Sequence, residues 1–474
     1  MAGSGNKVFS VTDFKEGLDV RKTPLTAPGG TLRILENAVI NAGGEIEKRL
    51  AFVQQTTMPS SYTYLFGQGN QLHAFGVNTT APIPGGSLPV PIVAHNLAPP
   101  GEQIVQLLDV EAFDQKFFVC GLGASGTTYC WYNNALVHEA DGSQSHGTYV
   151  RTWKSKMYRI DGQYLRFSGV NNPAQNDPAS VTEPGAGFIN LSLNDPDGES
   201  LQSMEVYYSN MAVMARLQTQ MWTLDPDPSN DTLGQLLRIG TVAPRSIVQF
   251  GTGDVLFLSD SGVRSLKALY INLAASVSDV GSAIDPLLIT AIRTNTSALT
   301  QVDAVVQPIQ GRYWLSVADT IYVLSYFPAG SITAWSTFKT GFNVRHFAVV
   351  GNRVFCDDTH GNVYQYGGTS GTVYDSSAVT VRTPHMNADS PTENKRIKSM
   401  DVMCQGQWAI NIGMLANNTD AFELCATVQD NTYGLMSIPF AGYGTHFGLH
   451  MTHQAPGPAT LSAVHLNLQE GVVK

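Results

Sequence analysis

Between residues 60 and 370 the chain repeats one pattern: an apolar β-rich run, a polar or glycine turn, then a second run carrying aromatic residues. Seven such units begin at Leu65, Phe117, Met157, Met211, Val255, Tyr313 and Val354. The runs are short, rich in Val, Tyr and Phe, and bounded by Gly, Asn and Asp, which is the chemistry of strands and hairpin turns. Starts recur about every 40 to 58 residues, a blade-like spacing without a strict motif. A small sheet cannot bury its apolar face alone, and radial stacking covers that face while leaving only short edges. The pattern predicts an all-β chain built on an irregular six- or seven-bladed β-propeller. A series of β-sandwiches is the competing arrangement.

Three stretches depart from the rhythm. Residues 171–200 are rich in Pro, Asn and Asp and read as an insertion exposed outside the blade cores. Around Asp285 the period changes: Asp285 can cap a short helix with Pro286 at its first position and Leu287, Leu288, Ala291 and Ile292 on one face. From about residue 385 a polar crossing leads into alternating strands, which predict a sandwich-like C-terminal domain. At the other end, residues 13–53 form a Pro- and Gly-rich arm followed by two strands, Leu32 to Ile40 and Glu45 to Phe52, joined through Ala42, Gly43 and Gly44. The expected organisation is an N-terminal arm and hairpin over 1–58, a propeller over 59–384, and a C-terminal domain over 385–474. The N- and C-terminal segments together are expected to form a β-rich platform or tube.

Composition narrows the function. The 474 residues carry 28 Lys and Arg against 38 Asp and Glu, a net charge of -10, which disfavours wrapping of nucleic acid by a basic face. An acidic surface is compatible with DNA passing without sticking. No run of about 18 apolar residues occurs, and the first ten residues lack a signal-peptide core, so a soluble protein made and kept in a cytoplasm is expected. The five cysteines form no CxxC pair and read as reduced core thiols, although Cys120 and Cys130 can face each other across a hairpin.

Candidate chemistry is sparse. Gly121 to Gly126 matches GxGxxG, but a strand follows instead of the helix that pyrophosphate binding needs, so it reads as a hairpin turn. Ser259 to Gly262 resembles the start of an Asp box, and Asp161-Gly162 and His360-Gly361 are similar turns. His446, His450 and His453 are the best metal candidates, yet no carboxylate is placed to orient them. Asn194 to Glu199 lacks a full calcium-ligand ladder. The acid pairs Asp225 with Asp227, and Asp357 with Asp358, have the form of turn residues. No GxSxG, HExxH or phosphate loop is present. No catalytic, cofactor or metal residue is assigned, and the chain reads as a non-enzyme.

The opening stretch resembles the start of the tail nozzle proteins of short-tailed bacteriophages, also called tail hub or packaged-DNA stabilisation proteins. The likeness is carried by Leu32 with Glu36 and Asn37, and by Lys48-Arg49 closing the second strand. It departs from the family in the residues after Arg49, where Leu50, Ala51 and Phe52 replace the usual turn. The resemblance implies a structural virion protein: a homo-hexamer at the end of the portal and adaptor channel, which retains packaged double-stranded DNA and conducts it during ejection. It implies assembly in the host cytoplasm, contact with a head-tail adaptor, and surfaces for tail fibre, spike or tip-plug proteins. No cofactor follows from it. Arg21, Lys22, Leu32, Glu36, Asn37, Lys48 and Arg49 are the expected assembly interface. Two other classes stay open: a propeller tail spike that binds or cleaves glycans, and a monomeric propeller interaction module.

Overall fold

The computed structural model describes residues 6–471 except 85–88, 183, 195–197, 252, 268–279, 295, 369–372, 433–435 and 438–441. Seven small sheets stand around one axis. Blade one holds Tyr62–Gln68, Gln71–Val77 and Ile92–Leu97, the last lying parallel to its neighbour. Blade two is Ile104–Phe113, Lys116–Gly123, Thr128–Tyr132 and Ala135–Leu136; blade three is Tyr149–Trp153, Lys156–Asp161, Tyr164–Phe167 and Gly187–Asn190. Blade four is Ser203–Tyr207, Asn210–Met214, Thr219–Thr223 and Thr232–Leu237, and blade five is Val248–Phe250, Asp254–Ser259 and Gly262–Ser265. Blade six is Asp303–Gln307, Arg312–Val317, Thr320–Phe327 and Ile332–Lys339. Blade seven is Val344–Val350, Arg353–Asp358 and Asn362–Tyr366, completed by Phe52–Thr57 from the start of the chain.

Each innermost strand lies beside the next, and Val344–Val350 returns to Tyr62–Gln68, so the ring closes. The six-or-seven alternative is settled at seven. Each hairpin read from the sequence falls within one blade, as strands one and two in the first blade and two and three in the others. Phe52–Thr57 becomes the outer strand of blade seven, so the last blade is completed from the start of the chain and the ring is tied shut by pairing between its two ends.

The second body of the fold is a pair of packed sheets. One is continuous with blade six: Ile332–Lys339 pairs in parallel with Ile34–Glu36, which leads through Val379–Arg382, Gly448–His453 and Gln407–Gly413 to Glu423–Gln429. The other is built on Thr460–Glu470, flanked by Lys395–Gln405 on one side and by Ile46–Lys48 and Asn6–Val11 on the other. The two ends of the chain are thus paired over Asn6↔Gln469 to Val11↔Val464. One apolar cluster fills this platform and runs into blades five and six, including Phe14, Leu35, Leu258, Trp335, Trp408 and Leu466. Each such fully buried side chain is worth about 1.5–3 kcal/mol relative to exposure.

Several expectations need correction. The predicted strand Leu32 to Ile40 is two strands in different sheets, because Asn37 takes a left-handed backbone (φ 56) between Ile34–Glu36 and Ala38–Ile40. Its predicted partner is likewise divided: Ile46–Lys48 stays in the platform, and Phe52–Thr57 crosses to blade seven. The boundary at 58 therefore cuts off a propeller strand, and the boundary at 384 leaves Val379–Arg382, a platform strand, on the propeller side. The 171–200 stretch is no pure insertion, since Gly187–Asn190 is the outer strand of blade three. The expected helix spans Asp285–Thr294, with Leu288 and Ile292 buried but Leu287 exposed.

The seam between the first and last blades depends on one missing side chain. A Cβ on Gly67 would lie 2.3 Å from the Val349 carbonyl oxygen, so the two innermost strands approach closer there than any other residue allows. Gly67→Ala is expected to push blades one and seven apart and to cost about 1–3 kcal/mol, as overpacking does. An unchanged urea midpoint for the variant would show that the seam is not held by this approach.

Candidate functional site

The innermost strands enclose an axial pocket of about 550 Å³, lined by residues from all seven blades. Its lining carries four carboxylates (Asp109, Glu111, Glu205 and Asp303) and two guanidinium groups (Arg151 and Arg245). Adjacent inner strands in a propeller do not pair as a ladder, so their edge N–H groups need other acceptors. The carboxylates supply them. The Val150 N–H of blade three donates to Asp109 of blade two at 3.0 Å, and the Thr152 N–H donates to Glu111 at 3.2 Å. Across another seam, the Phe347 N–H of blade seven donates to Asp303 of blade six at 2.6 Å.

Arg151, on blade three, sits among acids from the two flanking blades, two and four. Its Nε donates to Glu205 at 3.0 Å and its Nη1 to Asp109 at 3.4 Å, with Glu111 at 3.8 Å. The guanidinium also lies 4.4 Å from the centre of the Tyr149 ring and donates to the Tyr149 hydroxyl. Burial opposes its charge, but Tyr149, Glu205, Asp109 and Glu111 together hold its pKa well above the ordinary arginine value. Desolvation acts the other way on the acids: it pushes Glu111 up to about 7 and Asp303 up to about 6, against the attraction of Arg151 and Arg245 respectively. Asp109 is raised for the same reason. Arg245 is buried against Tyr64 and donates from Nη2 to the Thr300 and Arg345 carbonyls, both at 3.1 Å.

Behind the lining, Asp357 accepts from Arg345 Nε at 2.9 Å and lies 2.9 Å from His346 Nδ1. Burial holds His346 neutral, down to about 3, despite that carboxylate. Arg151 and the axial carboxylates engage one another and the edges of neighbouring blades, which fixes the angular spacing of the ring, while Nε and Nη1 of Arg245 are buried without a hydrogen-bond partner among the described residues. Sequence reasoning missed all of this. The one available signal was the recurrence of acids or Arg on the first strand of several units, as in Asp109, Arg151, Glu205 and Asp303.

The expected interface residues divide into two groups. Arg21 and Lys22 are exposed, Arg21 in an ion pair with Asp19 in which its Nε donates at 3.0 Å, and Glu36 is half-buried. Leu32, Asn37, Lys48 and Arg49 are buried inside this chain and present nothing to a neighbour. Lys48, 1% exposed, donates to the Asp375 and Ala455 carbonyls at 2.7 and 2.8 Å. Arg49, 3% exposed, donates to Asn37 Oδ1 at 2.9 Å, to the Leu50 carbonyl at 2.8 Å and to Asp375 at 3.0 Å. The correction has a plain cause: both cations satisfy loop carbonyls and one internal acid, needs that a linear sequence does not display.

The remaining candidates are structural. Gly121 to Gly126 lies in a hairpin, with the Gly126 N–H donating to the Gly123 carbonyl at 3.0 Å. Asp358 accepts the His360 and Asn362 N–H groups at 2.8 and 2.9 Å, and Asp227 accepts that of Ser229 at 3.0 Å. His453 is buried between the Gln407 and Ala455 carbonyls, while His446 contacts the Thr445 hydroxyl at 3.0 Å. Among the described residues no three metal-ligating side chains converge. Asn194 to Glu199 falls partly outside the described residues.

No protein-family model matches the chain, and no curated protein does. Among solved structures, BamB from Moraxella catarrhalis is similar over 68% of this chain and 98% of its own, at 9% identity and a TM-score of 0.32. The computationally designed Ika8 protein is similar over 74% and 99%, at 12% identity and a TM-score of 0.33. The blade assignment rests on this chain's own strand pairing.

Two variants test the axial cluster. Arg151→Met leaves three carboxylates facing one another without their cation, and a loss of about 3–5 kcal/mol is expected from urea unfolding at neutral pH. A loss below about 1 kcal/mol would mean that the cluster contributes little. Glu111 titrates higher in the folded chain than unfolded, so folding takes up a proton between those two values. Its cost is absent below about pH 4, grows as pH rises, and is complete above about pH 7. Glu111→Gln is therefore expected to match the parent near pH 4 and to exceed it by roughly 1–3 kcal/mol near pH 8. Parallel pH profiles for the two proteins would contradict the shift.

Proposed function

We propose that this chain is a structural virion protein: the tail nozzle of a short-tailed bacteriophage, acting as a hexamer that extends the portal and adaptor channel. The observation that carries the reading is the platform. Its sheets are built from both ends of the chain, and one of them is continuous with blade six, so propeller and platform form one covalently and hydrogen-bonded unit. Such a unit suits a part that must stay aligned with its neighbours under load. The residues that carry the family resemblance, Leu32, Glu36, Asn37, Lys48 and Arg49, lie at the junction of the two parts.

The charge balance agrees with this reading. A net charge of -10 disfavours tight association with phosphate, which fits retention and passage of DNA better than recognition of it. Arg151 is engaged by Asp109, Glu111 and Glu205, and Asp109, Glu111 and Asp303 also accept backbone N–H groups, which favours a scaffold over a substrate site. Adaptor, fibre, spike or tip proteins are the partners this role calls for.

Mass photometry and electron-microscopy class averages of the purified chain, alone and with its adaptor, are expected to show a sixfold ring. A persistent monomer under both conditions would overturn the proposal. Lys22 is exposed in the arm and not built into the platform core, so Lys22→Glu is expected to leave the melting temperature unchanged while lowering the ring fraction. An unaltered ring fraction would remove Lys22 from the interface.

A further inference from the structure

Cys120 and Cys130 occupy directly opposed positions on the second and third strands of blade two. Their sulfurs are 3.6 Å apart, and both residues are fully buried. Opposed residues of an antiparallel pair have Cα atoms about 4.5–5.5 Å apart, which lies inside the range of about 4.4–6.8 Å that disulfides span. Opposed residues share one face of the sheet, and here the two sulfurs meet on it.

The surroundings leave room for the sulfurs to close. Gly147, from the segment leading into blade three, covers the pair; a Cβ there would sit 3.0 Å from the Cys130 sulfur and 3.3 Å from that of Cys120. With hydrogen in that place, no side chain of residue 147 stands against the two sulfurs. On the other side, the pairing of Lys116–Gly123 with Ile104–Phe113 shifts register between Cys120 and Gly121, an irregularity that loosens and twists the strand beside the thiol. Phe118, Val137, Val150 and Met157 complete an apolar wall between blades two and three.

We propose that Cys120 and Cys130 form a latent dithiol that hydrogen peroxide converts to a cross-strand disulfide, a modification site that ties the central hairpin of blade two at its interface with blade three. One thiol loses its proton and its sulfur attacks peroxide; the O–O bond breaks, giving a sulfenic acid and water. The second thiolate then attacks that sulfur, forms the S–S bond and expels hydroxide, which leaves as water with the remaining proton. In balance, two thiols and one peroxide give one disulfide and two waters. Burial, with Cys130 and Asp109 beside it and Arg159 opposing them, raises the Cys120 thiol far above its usual range, so thiolate is scarce on Cys120 near neutrality.

The test treats the full-length protein with hydrogen peroxide, quenches it, denatures it and alkylates every remaining thiol before peptide mass spectrometry. Sulfoxide formation at Met403, which is 37% exposed, reports that the oxidant dose was sufficient. The expected result is that the peptide carrying Cys120 and Cys130 loses two hydrogen atoms and takes no alkyl group, while dithiothreitol restores both labels. Cys120→Ser is expected to abolish this loss, and the oxidised parent is expected to melt at a higher temperature than its reduced form, which the variant is not. Full alkylation of both cysteines after Met403 is oxidised would overturn the proposal. So would sulfinic acid on either one without the bond. A second sample, unfolded and refolded in a glutathione buffer, removes access as a limit; failure of the pair to form there would also overturn it.

Discussion

The architecture hangs on the hydrogen-bonded contact between Asn37 and Arg49. Asn37 is the point where the chain leaves the sheet of blade six for the opposite sheet of the platform, a change of direction made by a single left-handed residue. Asparagine tolerates that conformation better than most residues with a side chain. Its backbone N–H donates to Thr337 and its carbonyl accepts from the Arg49 N–H, while its side chain donates to Ala378 and accepts from Arg49 and Lys339. Every polar group of the residue is used, and the partners come from blade six, from the loop after blade seven and from the platform hairpin. A buried guanidinium is costly unless its donors are met. Here Asn37, the Leu50 carbonyl and Asp375 meet them, and the rings of Phe52 and Phe338 lie 5.4 and 5.9 Å away.

The same economy of buried charge recurs through the molecule in two forms. At the axis, carboxylates accept the edge N–H groups of the next blade, a device that joins sheets without extending a ladder. Away from the axis, buried lysines meet loop carbonyls: Lys48 takes Asp375 and Ala455, Lys156 takes Gly185, and Lys395 takes Ser390, Glu393 and Thr445. Burial lowers the pKa of all three ammonium groups. A chain with many short strands has many loops, and each loop that passes under another leaves carbonyls without water. A single flexible cation can satisfy two or three of them.

The hairpins were legible in the sequence because their signal is local. Alternating apolar runs around Gly and Asn turns identify seven units, and each became a blade. The helix at Asp285 was equally local, marked by its Pro286 and a short apolar face. What stayed hidden depended on distant partners. Nothing near Phe52–Thr57 announces that it closes a sheet with Asn362–Tyr366, more than 300 residues later. Nothing near Asn37 marks it as a switch between sheets, because the apolar pattern runs through it from Leu32 to Ile40. Lys48 and Arg49 looked like surface charges for the same reason: the groups they satisfy, at Asp375 and Ala455, are remote in the chain.

Continuity between blade six and the platform decides how the two parts respond to force. The join is a parallel pairing of Ile34–Glu36 with Ile332–Lys339, backed by the Thr337 hydroxyl donating to the Leu35 carbonyl. Parallel pairing by itself is short here, so the strength of the join comes from what surrounds it: the apolar cluster shared by Leu35, Trp335 and Val381 and the polar contacts of Asn37. A flexible linker would let the propeller swing freely about the platform, whereas a shared sheet and core resist bending in every direction. In the proposed nozzle role, a push against the platform would therefore be carried into the propeller instead of being lost at a hinge. That property follows from placing Ile34–Glu36 between Ile332–Lys339 and Val379–Arg382, and the C-terminal strand Thr460–Glu470 between Lys395–Gln405 and Ile46–Lys48, so that neither join can open without exposing the core.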